Sequence, residues 1–113
     1  MTSSLRNTGQ PELSELNRSR QQSNDAYKKQ LDLRHSMEAQ LKSHGFQVTL
    51  SQPVVVSGFK PSFNVRCLQI RLNGDYLGMY NPFYNQFSVN DARLSAWCHI
   101  MGEEYHERQK ARL

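Results

Sequence analysis

The Asn73-Gly74 dipeptide, placed between two apolar alternating segments, constrains the fold more than any other feature of the sequence. Asn-Gly readily adopts the two left-handed conformations that a type I′ turn requires, and such a turn joins two antiparallel strands through two residues. The flanking segments, 68–72 and 75–80, both show the period-two pattern of a half-buried strand. The sequence therefore predicts a β-hairpin centred on this turn.

A two-residue turn also determines which residues of the two strands face each other. The apolar face then contains the pairs Leu72–Asp75, Ile70–Leu77 and Leu68–Met79. The opposite face contains the pairs Arg71–Tyr76, Gln69–Gly78 and Cys67–Tyr80. We therefore expect one face of the hairpin to be buried and the other to be a polar and aromatic surface.

The segment before the hairpin predicts a helix followed by strands. Helical spacing of apolar residues runs from about 23 to 44 and stops at Gly45, which favours the end of a helix. Strand patterns follow at 46–50, at 54–56 after Pro53, and at 63–72. The alternation in 63–72 changes phase between Cys67 and Leu68, which predicts a bulge or a strand covered on both faces.

The segment after the hairpin predicts a loop and a second helix. Ser88 and Asp91 have the spacing of a capping box, so we expect a helix from Val89 to about Glu107. Its wide apolar arc, which indicates a core helix, contains Val89, Leu94, Ala96, Trp97, Cys98, Ile100, Met101 and Tyr105. A stripe of His99, Glu103 and His106 lies on the other side and is interpreted as a solvated face.

With 113 residues, the chain has room for one domain of ordinary size. Residues 1–22 have few apolar side chains and are predicted to form a flexible N-terminal arm, although the stretch from Pro11 to Arg20 can also extend the first helix. Residues 23–113 are predicted to form a single α+β domain. Its expected order is α-β-β-β-α, with a three-stranded antiparallel sheet packed against two helices.

This order and several local residues resemble the double-stranded-RNA-binding domain. The matching residues, within about 60–101, are Phe63, Val65, Asn73-Gly74, Gly78, the segment Ser88-Val89-Asn90-Asp91-Ala92-Arg93, Ser95-Ala96 and Ile100. The family holds RNA with lysines that open its last helix, and Val89 and Asn90 stand where the first two of those lysines would be. The resemblance therefore implies a degenerate member that acts through protein contacts, with RNA binding of the family type as the alternative.

Motifs that carry catalysis are missing from the sequence. It contains neither a Walker A motif nor a G-x-G-x-x-G motif, so we do not expect nucleotide hydrolysis. Cys67 and Cys98 are isolated in apolar patterns, so we expect both thiols to be reduced and buried and to bind no zinc. We predict that the protein is not an enzyme and uses no metal, cofactor or small-molecule substrate.

Two sets of candidate contact residues can be named. Aromatic side chains in and before the loop at 81–87 are candidates for a protein contact: Tyr76, Tyr80, Phe83 and Tyr84. Basic residues interleaved with them are candidates for nucleic-acid binding: Lys60, Arg66, Arg71 and Arg93. The net charge of +4 favours an acidic partner of either kind.

These observations predict a small non-enzymatic interaction module, such as an assembly subunit or an accessory or inhibitory factor, that binds a protein partner. A homodimer is compatible with the same surfaces. The low mean hydropathy of −0.74 and the absence of a long apolar run predict no membrane span. Because residues 1–10 show neither a secretion signal nor an import pattern, we expect a cytoplasmic protein.

Overall fold

A computed structural model describes residues 11–107, with the side chains of 15–107. The elements, in chain order, are α1 (Pro11–Ser43), β1 (Gln47–Leu50), β2 (Val54–Val56), β3 (Phe63–Val65), β4 (Leu68–Leu72), β5 (Asp75–Asn81), β6 (Gln86–Val89), α2 (Ala92–Met101) and β7 (Tyr105–Glu107). Five strands form one sheet in the order β1-β4-β5-β6-β7, in which β7 runs parallel to β6 and the other pairs are antiparallel. Strands β2 and β3 form a separate two-stranded sheet, here called the ribbon.

The α+β class is correct, but the predicted three-stranded antiparallel sheet on two helices is wrong. The main sheet is mixed and has five strands, and the described chain ends in a strand after α2. The predicted strand at 63–72 is two strands in different sheets, because the chain leaves the ribbon and enters the main sheet at Cys67. The phase change between Cys67 and Leu68 therefore marks a change of sheet.

The predicted hairpin turn is present, since Asn73 and Gly74 have φ angles of 53° and 86°. The pairs nearest the turn, Leu72–Asp75 and Arg71–Tyr76, also match the prediction. Beyond them the register shifts by one residue, so that the remaining predicted pairs are wrong. The observed pairs there are Ile70–Gly78, Gln69–Met79 and Leu68–Tyr80.

The register shift lies where β5 passes under α2. Gly78 has a φ of 154°, and a Cβ at this position would overlap the carbonyl oxygen of Ser88 and lie 2.9 Å from Leu94 Cδ2. A bulge at this point leaves Leu77 without a partner in β4 and lets both Leu77 and Tyr80 reach the core. The close approach of β6 and α2 to β5 thus accounts for a feature that the hairpin pattern does not contain.

Helix α2 is shorter than predicted at both ends. Asp91 is its N-cap, and its carboxylate accepts a hydrogen bond from the backbone nitrogen of Arg93 (2.8 Å). Ser88 and Val89 belong instead to β6, in which Phe87 and Val89 are both buried in the strand period. Gly102 ends the helix in a left-handed conformation, after which the chain forms β7.

The core lies between the five-stranded sheet, α2 and the second half of α1. Trp97 packs edge to face on Phe46 and Phe87, at centroid distances of 5.8 and 5.7 Å. The buried apolar residues that form this core are Met37, Leu41, Phe46, Leu68, Ile70, Leu77, Tyr80, Phe87, Val89, Leu94, Trp97 and Cys98. The wide apolar arc predicted for the last helix is wrong, because Ile100 is 81% exposed and Ala96 is exposed.

Helix α1 is long and joins the two sheets. Its 33 residues correspond to about 50 Å. Met37 and Leu41 pack into the core, while Ser23, on the earlier half, donates a hydrogen bond to the carbonyl oxygen of Pro61 in the ribbon loop. Residues 11–22 of the predicted arm belong to this helix. The sequence allowed this alternative for the stretch from Pro11 to Arg20. Residues 1–10 lie outside the described residues, so the flexibility of an arm stays a prediction.

Candidate interaction surfaces

The loop between β5 and β6 is a compact turn that presents aromatic side chains. Asn81 Oδ1 accepts hydrogen bonds from the backbone nitrogens of Phe83 (2.9 Å) and Tyr84 (3.4 Å). The Tyr80 hydroxyl donates to Asn85 Oδ1 (2.6 Å) and holds the other end of the turn. These contacts keep the Phe83 and Tyr84 rings adjacent, at a centroid distance of 5.0 Å.

Phe83 connects this loop to the ribbon. Its ring lies 6.0 Å from Phe59 and 6.1 Å from Phe63, and Phe63 in turn contacts Tyr27 of α1 at 5.8 Å. Phe83 is half-buried by these contacts, whereas Tyr84 is 71% exposed. Phe83 is thus used for packing, whereas Tyr84 is free for contact.

A groove of about 290 Å³ opens between the ribbon and this loop. Its walls are mostly apolar and consist of Val54, Val55, Val56, Ser57, Val65, Cys67, Asn81, Phe83 and Tyr84. Val54 and Val55 are 60% and 64% exposed, which is unusual for neighbouring valines in a strand. Within residues 11–107, β2 pairs with β3 alone, so its other edge has no backbone partner there.

A second depression, here called the cleft, lies between the ribbon and α1 and measures about 430 Å³. It is lined by Tyr27, Gln30, Leu31, Arg34, Pro53, Asn64 and Arg66. Successive side chains of a strand point to opposite faces, and here Asn64 and Arg66 line the cleft while Val65 and Cys67 line the groove. The segment 64–67 therefore separates the apolar groove from a cleft that contains two arginines.

The four aromatic residues predicted for a protein contact lie in different environments. Phe83 and Tyr84 meet at the groove. Tyr76 is partly exposed on the main sheet, where the Arg71 guanidinium lies 5.4 Å from the centre of its ring. Tyr80 is fully buried in the core, so its assignment to a contact surface is corrected; burial, aided by the charge of Glu103, raises the pKa of Tyr80 to about 12.

The four basic residues predicted for nucleic-acid binding do not form one surface. Arg93 donates from Nε to Asp91 (2.9 Å) and from Nη2 to Asp75 (3.2 Å), and these bonds raise the pKa of Arg93 above its usual value. Arg71 covers Tyr76, Arg66 lines the cleft, and Lys60 lies beside Leu16 near the start of α1. Arg66 Nε also donates to the carbonyl oxygen of Ser51 (2.9 Å).

One histidine of the described chain belongs to a chain of side-chain hydrogen bonds, in which the Tyr105 hydroxyl contacts His99 Nε2 (2.6 Å) and accepts from Ser95 Oγ (3.2 Å). His99, Glu103 and His106 lie on α2, a loop and β7, and within 11–107 no group of three potential ligands has the geometry of a metal site. Cys67 and Cys98 are free and buried, as predicted. Burial raises the pKa of the Cys98 thiol to about 12, so it is protonated and unreactive at neutral pH.

Sequence reasoning missed the exposed edge of β2 and the whole of the cleft. A signal for the first was present, because Val54-Val55-Val56 is an apolar run without alternation between Pro53 and Gly58. No local signal indicated the cleft, since Gln30 and Arg34 are ordinary polar residues of a helix and Asn64 and Arg66 are distant in sequence. The cleft can be recognised only when α1 and the ribbon are placed in three dimensions.

None of the helices in 11–107 combines the length and the apolar character of a membrane-spanning segment. No family model matches the chain, and searches of curated proteins and of solved structures gave no match either. The resemblance to the double-stranded-RNA-binding domain therefore stays a prediction.

Proposed function

We propose that this protein is a small non-enzymatic interaction module that binds an extended segment of a partner protein along β2. The observation that carries the proposal is the combination of an unpaired strand edge with exposed valines and an exposed tyrosine beside it. Val54, Val55 and Tyr84 border the same groove. Backbone and side-chain recognition thus meet at one place.

The edge of β2 supplies the backbone part of this recognition. A strand edge presents N–H and C=O groups at regular intervals, and an extended peptide satisfies them by adding a strand. Within the described chain no strand pairs with this edge of the ribbon. A free edge flanked by apolar side chains is also an aggregation hazard, so a partner that covers it protects the protein.

The groove supplies the side-chain part. Tyr84 and the half-buried Phe83 line it from the loop between β5 and β6, and residues of β2 line it from the ribbon. Aromatic residues that border such a pocket are common centres of binding energy in protein interfaces. We therefore expect the partner segment to place one large apolar side chain in the groove.

The net charge of this chain indicates which residues flank the apolar anchor of the partner segment. The chain has a net charge of +4. A segment with acidic residues on either side of its apolar anchor matches this charge. The partner is thus expected to be an acidic, extended peptide with an apolar centre.

Selection from a phage-displayed library of random peptides tests this function. Panning on the full chain should enrich acidic peptides with an apolar centre, and calorimetry then gives the Kd of a synthetic peptide. Tyr84→Ala should weaken binding by more than about tenfold, because it removes one wall of the groove. Tyr76→Ala is the matched control and should leave the Kd unchanged, since Tyr76 is an exposed tyrosine on the main sheet.

A separate experiment tests whether the peptide binds by adding a strand to β2. Methylation of one backbone nitrogen at a time in the selected peptide should abolish binding at every second position, because alternate N–H groups of an added strand face its partner. Uniform tolerance of methylation, or equal losses for Tyr84→Ala and Tyr76→Ala, would contradict the proposal. So would a dimer in light scattering that Val55→Glu dissociates, since a second copy would then cover β2.

Duplex RNA is the alternative partner and has less support. The basic candidates are dispersed, and Arg93 at the start of α2 is paired with two carboxylates. Phosphate neutralisation needs several such charges on one face. Sub-micromolar binding of duplex RNA at physiological salt, abolished by Arg71→Ala and Arg93→Ala but not by Tyr84→Ala, would replace the protein-binding proposal.

A further inference from the structure

The cleft between α1 and the ribbon contains buried polar atoms that the described chain leaves without partners. Gln30 is 2% exposed, yet its Oε1 has no hydrogen-bond partner within 15–107. The Nε of Arg34, one helical turn later, is also buried and without a partner there. Buried polar groups are nearly always hydrogen-bonded, so this pair indicates contacts that a ligand would supply.

The charges around the cleft have one sign. Its lining contains two guanidinium groups, from Arg34 and Arg66, and no carboxylate. Among the described residues the ion pairs are Lys42–Glu38 and those of Arg93, so neither cleft arginine is neutralised there. Two like charges facing one depression repel each other unless an anion lies between them.

Local geometry explains why these groups meet. Residues 27, 30 and 34 are spaced by three and four along α1 and therefore share one face of the helix. Asn64 lies on β3 and Arg66 directly follows the strand, and both line the same side of the ribbon. Packing of α1 on β3 brings the helix face and the strand face together across the cleft.

We propose that the cleft binds a phosphorylated sugar, either free or as part of a nucleoside monophosphate. The Arg34 and Arg66 guanidinium groups hold the phosphate, because a planar fork of N–H donors matches phosphate oxygens. Gln30 binds a sugar hydroxyl, since its unpartnered amide oxygen requires a donor that a bare phosphate dianion lacks. The apolar walls of Leu31 and Pro53 and a volume of about 430 Å³ leave room for more than a phosphate ion.

This inference goes beyond the proposed peptide binding and uses the other side of the ribbon. It also differs from the expectation from sequence, which named no small molecule. Calorimetry on the full chain with ribose 5-phosphate, adenosine 5′-monophosphate, inorganic phosphate and ribose tests it. At least one of the first two should bind more than about tenfold tighter than inorganic phosphate, and ribose alone should not bind. The tighter of the two identifies the source of the sugar phosphate.

Charge-neutral variants identify the phosphate contacts. Arg34→Gln and Arg66→Gln should each weaken sugar-phosphate binding by more than about tenfold, because each removes one charge-assisted contact. Arg71→Gln is the matched control, an arginine outside the cleft, and should bind as the original chain does. Equal weakening by all three, or no binding of either phosphorylated ligand at millimolar concentration, would overturn the proposal.

The variant Gln30→Leu tests whether Gln30 binds a ligand or only stabilises the fold. If Gln30 awaits a ligand, removing its buried unpartnered amide should raise the thermal midpoint of the free protein while reducing ribose 5-phosphate affinity to that of inorganic phosphate. A lowered midpoint with unchanged affinity would contradict the assignment. Tyr84→Ala should retain sugar-phosphate binding, so failure of this site and failure of the peptide site are distinguishable.

Discussion

In the five-stranded sheet with α2 the buried side chains are apolar, whereas the buried polar residues of the described chain, Ser23 and Gln30, both lie on α1 beside the ribbon. The first region buries large side chains such as Tyr80 and Phe87 completely. The second leaves two valines of β2 exposed and two polar atoms unpartnered. One region is complete in its packing, although the indole Nε1 of Trp97 also lacks a hydrogen-bond partner among the described residues, while the other has both polar and apolar groups that await a contact.

Helix α1 explains how both regions coexist. Its second half contributes Met37 and Leu41 to the core, which anchors the whole helix. Its middle part, from Tyr27 to Arg34, forms one wall of the cleft. A scaffold with a closely packed core can thus carry a neighbouring surface whose polar and apolar groups are unsatisfied.

The largest expected effect is in the complete region, at the bulge of β5. Gly78→Ala places a methyl group against the Ser88 carbonyl, which cannot move without shifting β6, and against the fully buried side chain of Leu94. We expect a loss of at least about 5 kcal/mol, which circular dichroism and urea unfolding would show as a chain that does not fold.

Gly74→Ala is the matched control for this prediction. Gly74 also has a positive φ but has open space around it, so only backbone strain of about 1–2 kcal/mol is expected. Similar losses for the two variants would contradict the role given to the contact between β5 and α2.

Trp97→Ala should have the next largest effect, because the indole packs among Phe46, Phe87 and the surrounding core. We expect a decrease of about 3–5 kcal/mol in the free energy of unfolding, measured by urea titration. Ile100→Ala, three residues later on the exposed side of α2, should change it by less than about 0.5 kcal/mol. A large loss at Ile100 would show that this face of α2 is covered.

Alkaline pH should gradually lower the free energy of unfolding, because two buried groups of the complete region have raised pKa values. Burial raises the pKa of Cys98 from 9.0 to about 12 and that of Tyr80 from 10.0 to about 12. Between about pH 9 and pH 12 the unfolded chain therefore binds fewer protons than the folded chain, so the free energy of unfolding falls as pH rises. Urea titrations across this range measure the slope, and Cys98→Ala should make it shallower. A constant free energy of unfolding would be inconsistent with these protonated groups.

The smallest effect on stability is expected from removing the first turns of α1, which lie beside the ribbon. A chain that begins at Ser23 loses a helical stretch whose described side chains, 15–22, are almost all exposed. We expect the free energy of unfolding to change by less than about 1 kcal/mol, measured by urea titration on both chains. A larger loss would mean that the first turns of α1 help hold the ribbon in place.

The sequence by itself determined those features that depend on neighbouring residues. The Asn73-Gly74 turn, its first two residue pairs and the strand character of β1, β2 and β5 follow from local conformational preference and the period-two pattern. The burial of both cysteines followed from the apolar patterns around them. These features needed no knowledge of what packs against them.

Tertiary structure alone decided the features that depend on residues distant in the chain. Gly78 shifts the register because Leu94 lies over it, and Ser88 and Val89 join a strand because Tyr80 and its neighbours on β5 offer a pairing edge. Strand β7 exists because Gly102 turns the chain back along β6. The cleft arises because α1 covers β3, which brings Gln30 and Arg34 to Asn64 and Arg66. Such contacts depend on the three-dimensional path of the chain, and no local pattern encodes them.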